Sequence, residues 1–503
     1  AFVFMRRRDF FKGLGVAGIL SVSPLSAIDF NSKRENLQEN YFVNKNKNKR
    51  VVIVGGGISG LSVANNIRAI DKEVEIIILE KNKQFHSCPG SNILLSKTAS
   101  EYTNEISAPQ NWIFNYNQVK NQFTVINCEV LDGDTSNKIV KTTRGNIAYD
   151  TLIVATGIEY NYEEQFPEWS SSKIEKAKHF APAAMIQDGG DEWSLMSERW
   201  ESLILKAQNN PEKDYQIVIN PTPKTNANTG KNTLRRCPPA AGERASMLAS
   251  RIKKECINNL KVVFLIELDG SLGSKGEAFE QSWNDLSYCS DIYNPKKDDI
   301  IQPIFNARIQ NLSFIKKRIV YKQDIFNDDL EIVGNELKTI NYDELILMAE
   351  QKTPGVVGKI FNVKGEVELV DNGFEVKNLS NHYILGDSQT KHPLPASGSM
   401  AMNMASILAK RIVNKLKGKD IKEDYTTAKN VCFSLVGESP NEGIKVEHNI
   451  FASKGLFKGK GNVPKVNGVF RTEGIAMEQA GWIYAIGGLF GNSGMLNKNM
   501  IEK

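Results

Sequence analysis

The stretch VVIVGGGISGLSVANNIRAIDKEVEIIILEKN, from Val51 to Asn82, decides the fold. A β-branched run is followed by a glycine-rich turn, a helical segment and a second apolar run that ends on an acid. In a β-α-β unit that binds a dinucleotide, the glycines permit a tight turn, close approach to the pyrophosphate and close helix packing, while the terminal acid binds a ribose. The residues that match these roles are Gly55, Gly57, Gly60 and Glu80. We therefore predict that this unit binds a dinucleotide.

The composition is that of an ordinary globular protein with several domains. The chain has 503 residues, of which 41% are hydrophobic and 24% charged, and its formal net charge is +5. So small a charge on so long a chain does not indicate nucleic-acid binding. The five histidines have no metal-ligand spacing and no Cys-x-x-Cys-His motif occurs, so we predict neither a metal site nor a haem on this chain.

Paired arginines, Arg7 and Arg8, precede a short apolar stretch and then small residues near the start of the chain. This order is typical of an export signal, and the arginine pair is typical of the twin-arginine route. The alternative is the basic first turn of an ordinary helix. We expect a signal peptide, a disordered Asn/Lys-rich linker behind it, and a periplasmic protein without stable membrane insertion.

Two later strands are predicted to complete the first domain. A buried strand ends at Gly157, and an apolar strand ends at Gly386 and Asp387. A carboxylate in the latter position can accept hydrogen bonds from the ribityl chain of a flavin. A helix rich in small residues follows Ser397, and its N-terminal amides can face the flavin ring and favour negative charge on the reduced flavin. Together with the first unit, these residues predict FAD as the dinucleotide.

A second β-α-β unit is predicted over residues 215–269, but its strand-to-helix connection lacks a glycine triplet. We therefore expect no NAD(P) site there. The fold class predicted is α/β, with two Rossmann-like domains and a small C-terminal α+β domain. The predicted divisions are 1–30 (signal peptide), 31–49 (disordered linker), 50–160 (first part of the FAD domain), 161–342 (second Rossmann-like domain), 343–425 (second part of the FAD domain) and 426–503 (C-terminal interface domain).

Several motifs together resemble the flavoprotein subunit of flavocytochrome c sulfide dehydrogenase, a relative of sulfide:quinone reductases. Beside the glycine-rich turn, they are the HSCPGSN loop at 86–92, RCPP at 236–239 with ERAS at 243–246, ILGDS at 384–388 and NVCFS at 430–434. The resemblance implies FAD on a glutathione-reductase-like fold, oxidation of sulfide in the periplasm and a separate c-type cytochrome subunit as the electron acceptor.

The resemblance also assigns roles to two cysteines. Cys88 matches the cysteine that carries the flavin covalently, and Cys237 matches a redox-active cysteine close to the flavin. Local chemistry also favours Cys237, because a helix N-terminus and the neighbouring Arg235 and Arg236 lower a thiol pKa and favour a thiolate that can take up sulfur. The alternative for Cys88 is a small loop residue that packs beside Pro89. The alternative for Cys237 is a buried structural thiol.

In one respect the sequence departs from the family. Glu375 stands where the family has the second redox cysteine, so a disulfide cannot form in the usual way. Cys289 or Cys432 could substitute, provided that its Cα atom lies within about 7 Å of that of Cys237.

The leading hypothesis is an exported FAD-dependent oxidoreductase that oxidises sulfide or a related reduced sulfur compound and passes electrons to a c-type cytochrome. A sulfide:quinone reductase is the second hypothesis, although the apolar residues 483–489 are few for a membrane anchor. The third is a flavin electron-transfer subunit that lost sulfide chemistry with the change to Glu375.

Overall fold

The computed structural model describes most of the chain from Lys49 onwards. The predicted signal peptide and nearly all of the predicted linker lie outside the described residues. The described ranges are 49–96, 113–119, 122–183, 191–226, 228–234, 236–267, 275–329, 331–370, 374–389, 394, 396–419, 428–437, 442–453 and 456–490.

These ranges contain nine α-helices and twenty-two strands. The helices are α1 (Ile58–Ile70), α2 (Tyr162–Gln165), α3 (Ser171–Phe180), α4 (Asp191–Asn209), α5 (Ala240–Lys254), α6 (Gly276–Asp285), α7 (Gly355–Phe361), α8 (Gly398–Leu416) and α9 (Glu473–Gly488). The strands are β1 (Arg50–Val54), β2 (Glu75–Glu80), β3 (Gln84–His86), β4 (Ile113–Asn115), β5 (Thr124–Asn127), β6 (Val130–Asp134), β7 (Ile139–Thr142), β8 (Gly145–Ala148), β9 (Thr151–Val154), β10 (Glu159–Tyr160), β11 (Tyr215–Asn220), β12 (Leu260–Leu265), β13 (Ile301–Ile304), β14 (Ala307–Ser313), β15 (Arg318–Phe326), β16 (Ile332–Asn341), β17 (Glu344–Leu347), β18 (Gln351–Lys352), β19 (His382–Ile384), β20 (Ala428–Leu435), β21 (Gly443–Ser453) and β22 (Leu456–Asn462).

The first domain is built on a five-stranded parallel sheet with the order β19-β9-β1-β2-β5. All five residues of β1 are buried, because α1 and α8 cover one face of the sheet and α7 with the β6–β8 meander covers the other. A parallel sheet covered on both faces needs continuous apolar strands, which explains the β-branched run in the sequence.

The second domain has a four-stranded parallel sheet with the order β13-β12-β11-β17. The sequence predicted a return to the first domain at about Asp343, but β17 (Glu344–Leu347) still pairs with β11 of the second sheet. The return therefore comes after β17, where β18 pairs with the outgoing strand β10. The prediction was wrong there because a short buried strand does not show in sequence which of two parallel sheets it joins.

The C-terminal part consists of the antiparallel sheet β20-β21-β22 and helix α9. Strand β20 packs against α8 and α5, and so contacts both larger domains. Beyond α9, Phe490 packs against Phe85 and Phe114 of the first domain. The predicted fold class, α/β with Rossmann-like domains, is confirmed by these parallel sheets. Within the described ranges, every helix is too short or too polar to cross a membrane.

Candidate active site

A cavity of about 850 Å³ opens between the first domain, the second domain and strand β20. Most of the predicted site residues line it: Gly55, Gly57, Glu80, Cys88, Gly157, Cys237, Asp387 and Ser397. The other two predicted residues, Gly60 and Gly386, stand behind the wall and allow its elements to pack closely. The structure thus brings together residues from distant parts of the chain.

The glycine-rich turn leaves one end of the cavity open to a ligand. Gly55 has a φ of +103°, and a Cβ there would lie 2.4 Å from the carbonyl oxygen of Ala155. At Gly60 a Cβ would lie 1.9 Å from the carbonyl oxygen of Gly55, so α1 packs against the turn only with glycine at this position. A Cβ at Gly57 would meet no atom within 4 Å, and the N-terminus of α1 has no side-chain cap. Free helix N–H groups beside such open space suit a pyrophosphate.

Glu80 is fixed at the end of β2 by two backbone donors. Its Oε2 accepts a hydrogen bond of 2.6 Å from the N–H of Gly56, and its Oε1 accepts one of 2.8 Å from the N–H of Asn82. Burial raises the pKa of the Glu80 carboxyl, although both N–H groups oppose this shift. Its position at the mouth of the turn suits a ribose contact.

The opposite wall of the cavity combines an aspartate with a buried guanidinium. The backbone turns at Gly386, where φ is +69°, and burial raises the pKa of the Asp387 carboxyl. Arg236 donates to the carbonyl oxygens of Asp387, at 3.1 Å, and Gln389. Its Nε is buried without a hydrogen-bond partner among the described residues. A ligand with acceptor atoms fits this wall, as the polar edge of a flavin would.

Helix α8 begins at the cavity with Ser397 as its N-cap. The Ser397 hydroxyl accepts from the N–H of Met400 at 3.1 Å and donates to Asn430 of β20. The hydroxyl is therefore engaged in capping, and the helix amides rather than the Ser397 side chain are left for a ligand.

Cys237 lies directly before α5 with a left-handed backbone, φ +50°. Its thiol lies beside the thiol of Cys432 on β20, and each influences the pKa of the other. Of the two substitutes that the sequence left open, Cys432 is thus the neighbour, while Cys289 lies buried in the core of the second domain. Glu375 does not line the cavity; it forms an ion pair of 2.7 Å with Lys415 and accepts from the N–H of Asn381.

The electrostatics of the pair differ from the sequence prediction. The pKa of Cys432 is lowered to about 6 by the neighbouring Cys237 thiol and by the buried ammonium of Lys275. The neighbouring Cys432, with burial, raises the pKa of Cys237 well above its usual value. The arginine that the sequence placed beside Cys237 is engaged elsewhere, because Arg236 donates to the carbonyl oxygen of Asp387. Arg235 lies outside the described residues.

The loop of Cys88 is tied to the same helix as Cys237. The Cys88 carbonyl accepts from the N–H and the hydroxyl of Ser91, at 3.1 and 2.7 Å. The amide of Asn92 then donates to Glu243 at 3.2 Å and accepts from Arg244 at 3.0 Å. The contacts explain why the loop motif and the ERAS motif occur together, although the sequence gave Asn92, Glu243 and Arg244 no role.

Lys275 is the site residue that sequence reasoning missed altogether. It precedes α6 in a segment without a motif, and its side chain is 1% exposed. Its ammonium donates a hydrogen bond of 2.8 Å to the hydroxyl of Ser434, two residues beyond Cys432 on β20. Only the packing of α6 against the C-terminal sheet reveals this contact, so no sequence signal could have found it.

Comparison with known proteins gives a family and a fold. The model of the family "Pyridine nucleotide-disulphide oxidoreductase" matches residues 49–180. The flavoprotein chain of the sulfide dehydrogenase (flavocytochrome c) of Chlorobaculum thiosulfatiphilum is 43% identical over 44 residues, which are 9% of this chain and 92% of that sequence. In two other curated relatives, 29% and 30% identical, the matched part spans only 25% and 21% of their length.

Among solved structures, the sulfide:quinone oxidoreductase of Aquifex aeolicus matches with a TM-score of 0.59 and 16% identity, over 88% of this chain and 92% of that one. NDH2 of Plasmodium falciparum, solved in complex with NADH, matches with a TM-score of 0.58 and 12% identity, over 91% and 100%. At these identities the likeness concerns the fold alone.

Proposed function

We propose that this protein oxidises sulfide or a related reduced sulfur compound with FAD as its cofactor. The chain belongs to the flavoprotein oxidoreductase family of flavocytochrome c sulfide dehydrogenase. The observation that carries the proposal is the neighbouring pair of thiols, Cys237 and Cys432, in the wall of the cavity in which we place the flavin. Sulfur oxidation of this kind uses two cysteine thiols that can exchange sulfur and a flavin beside them that accepts electrons.

The residues of the cavity divide into those that would hold the cofactor and those that would handle sulfur. FAD would be held by the glycine turn, Glu80, Asp387 and the N-terminus of α8. Bound there, a flavin supplies two-electron oxidation of sulfur and one-electron transfer to an acceptor. Cys237 would take up the sulfur atom as a persulfide, and Cys432 would serve as the second sulfur, the role that Glu375 cannot fill.

The test is an anaerobic titration of the purified yellow protein with sulfide, followed by flavin absorbance. We expect sulfide to bleach the wild-type protein, and Cys237→Ser to keep its flavin but lose the bleaching. Cys256→Ser, at an exposed cysteine of the second domain, is the matched control and should bleach like the wild type. Bleaching of Cys237→Ser at the wild-type rate would remove Cys237 from the mechanism.

We propose a c-type cytochrome as the electron acceptor and the periplasm as the location. The first rests on the relative whose name contains flavocytochrome c, and the second on the arginine pair in the sequence. Purification of the tagged protein from its own cells should retain a haem protein, and sulfide should reduce that haem. Arg7→Lys with Arg8→Lys should leave the protein in the cytoplasm. Sulfide-dependent reduction of quinone but not of cytochrome would favour the quinone reductase instead.

We further propose that NAD(P)H is not the electron donor. The connection from β11 to α5, residues 221–239, has a single glycine, Gly230, and is closed by a bridge between Thr225 and Asn232. Such a connection lacks the glycines that let a backbone approach a second pyrophosphate. NADH and NADPH should therefore leave the flavin absorbance unchanged under conditions in which sulfide bleaches it. Bleaching by either nucleotide would contradict the proposal.

A further inference from the structure

Strand β20 carries polar side chains at every second position of the NVCFS motif. Asn430, Cys432 and Ser434 therefore face the same side of the strand. Cys432 lies beside the thiol that precedes α5, and Ser434 accepts a hydrogen bond from Lys275 at the start of α6. Asn430 is the member of the motif that joins β20 to α8, the helix whose N-terminus we place at the flavin.

The side-chain amide of Asn430, a residue that is 2% exposed, bridges Ser397 and His448. Its Oδ1 accepts a hydrogen bond from the hydroxyl of Ser397, and its Nδ2 lies 3.1 Å from Nδ1 of His448 on β21. Because an amide nitrogen only donates, Nδ1 of the ring accepts, and the proton of the neutral ring is on Nε2. The Ser397 hydroxyl also accepts from the N–H of Met400 at 3.1 Å. These bonds form one chain from His448 to a residue that lines the cavity.

The surroundings of His448 favour the neutral ring that this chain of bonds requires. Gly461 on β22 makes room for the ring, since a Cβ there would lie 2.9 Å from Nε2. Burial, together with the ammonium of Lys275 at the start of α6, lowers the pKa of His448. Cys432, two residues beyond Asn430 on β20, lies beside the thiol that precedes α5. No carboxylate among the described residues opposes the lowered pKa of His448.

We propose that Asn430 and His448 form a proton switch that controls the Ser397 hydroxyl in the cavity wall. This deepens the proposed function and rests on it, because the flavin placed at α8 would be the ligand that responds. When Nδ1 of His448 takes a proton from solvent it becomes a donor, and the Asn430 amide turns over so that Oδ1 accepts from it. Nδ2 then donates to the Ser397 oxygen. Both lone pairs of that oxygen are now engaged, by Asn430 and by the N–H of Met400, and its own proton is released to donate into the cavity.

The switch couples proton uptake at His448 to negative charge in the cavity. A ligand that accepts hydrogen bonds more strongly favours the released Ser397 hydroxyl, and by linkage it raises the affinity of His448 for a proton. The N-terminus of α8 favours the negative charge of a reduced flavin. We therefore expect reduction to raise the pKa of His448. In the pH range between its values in the oxidised and the reduced protein, two-electron reduction should take up one additional proton.

The test follows the five histidines by NMR in the holoprotein labelled with isotopic histidine, first oxidised and then reduced with dithionite. His448→Gln identifies the signal of His448. In the oxidised wild type the neutral ring should carry its proton on Nε2 and titrate below pH 6.5. In the reduced protein the pKa of His448 should rise by about 1 or more. Asn430→Ala keeps Ser397 and His448 but removes the link between them, so most of this rise should be lost.

Asn403→Ala is the matched control for the loss of an amide between α8 and β20. The Asn403 amide donates to the carbonyl oxygen of Lys429 at 2.9 Å and is not part of the chain of bonds to His448. This variant should show the wild-type rise. If Asn430→Ala does not fold, His448→Gln decides: the pH dependence of the flavin midpoint potential should show the additional proton in the wild type and lack it in this variant.

An equal rise in Asn430→Ala and in the wild type would overturn the proposal, as would a pKa of His448 that reduction leaves unchanged. A neutral His448 ring with its proton on Nδ1 would also overturn it, because Asn430 could then not donate to that nitrogen. Dithionite replaces sulfide in this assay, so the two proposals fail separately. Absent bleaching by sulfide, together with an intact response of His448, would reject the proposed function and leave the switch in place.

Discussion

The backbone N–H of Gly56 donates a hydrogen bond of 2.6 Å to Oε2 of Glu80. The carboxylate thereby joins the glycine turn after β1 to the end of β2, and its other oxygen accepts from Asn82 at 2.8 Å. Glu80 thus fixes the shape of the glycine turn, where we place the pyrophosphate. Its position also suits a contact with the ribose.

Glu80→Ala should lower flavin retention strongly while the domain still folds. A hydrogen bond to a charged group is worth about 1.5–3 kcal/mol, which corresponds to at least about a tenfold loss of FAD affinity. Flavin content should be measured after gel filtration in a Cys88→Ser background, so that a covalent bond cannot mask the loss. Glu73→Ala, an exposed glutamate on the turn before β2, is the control and should retain flavin. Equal flavin content in both variants would contradict a role for Glu80.

Two alanine substitutions should separate folding from cofactor binding within one turn. Gly60→Ala places a Cβ 1.9 Å from a backbone oxygen that cannot move away, so it should destabilise the protein by about 1–3 kcal/mol. Gly57→Ala meets no atom within 4 Å and has a φ of −74°, so it should leave the melting temperature of the flavin-free protein unchanged and reduce flavin content. Melting curves with flavin absorbance check both. A flavin-replete Gly57→Ala protein would show that the pyrophosphate lies elsewhere.

The sequence was sufficient to predict the structure of those elements in which one local pattern combines a turn, a helix and a terminal acid. The turn, α1 and Glu80 form one continuous unit with the spacing of a dinucleotide-binding β-α-β motif, so their placement follows from the pattern alone. The turn at Asp387 was also anticipated, although the strand before it is shorter than predicted, His382–Ile384, since the positive φ at Gly386 ends it.

The sequence named Cys289 and Cys432 as possible partners of Cys237 but could not choose between them, because the thiols come from distant elements. Cys237 precedes α5, Cys432 lies on β20 and Lys275 precedes α6, and nothing in their local sequence indicates that these elements meet. The charges around Cys237 were beyond local sequence for the same reason: Arg236 beside it turns to Asp387, while the buried Lys275 beside Cys432 comes from another element. Glu375 marked a real departure from the family, but its carboxylate serves an ion pair outside the cavity.

Glu267 should make stability fall as pH rises. Burial raises the pKa of its carboxyl to about 7, helped by Glu350 and opposed by Arg308, whose Nε is 3.4 Å away but whose side chain is 39% exposed. Between about pH 4.5 and 7 the folded state binds more protons than the unfolded state, so up to about 3 kcal/mol of stability is present at low pH and lost through this window. Glu267→Gln should flatten the dependence of the melting temperature on pH.

The control for that dependence is Glu336→Gln, at a half-exposed carboxylate on β16. It should follow the wild-type curve from pH 5 to pH 8. A Glu267→Gln curve parallel to the wild type would mean that Arg308 keeps Glu267 ionised in the folded protein, and the raised pKa would then be wrong.

Cys88 should carry the flavin covalently. It lines the cavity on a loop that Ser91 fixes and that Asn92 ties to α5, near Cys237, whereas Cys128 lines the same cavity close to Glu80. After acid precipitation the wild-type protein should stay yellow and Cys88→Ser should give a colourless pellet with free FAD in the supernatant. Cys128→Ser is the matched control, because it removes a thiol from the other end of the cavity, and its pellet should stay yellow. Colour that survives acid in Cys88→Ser would place the bond on another residue.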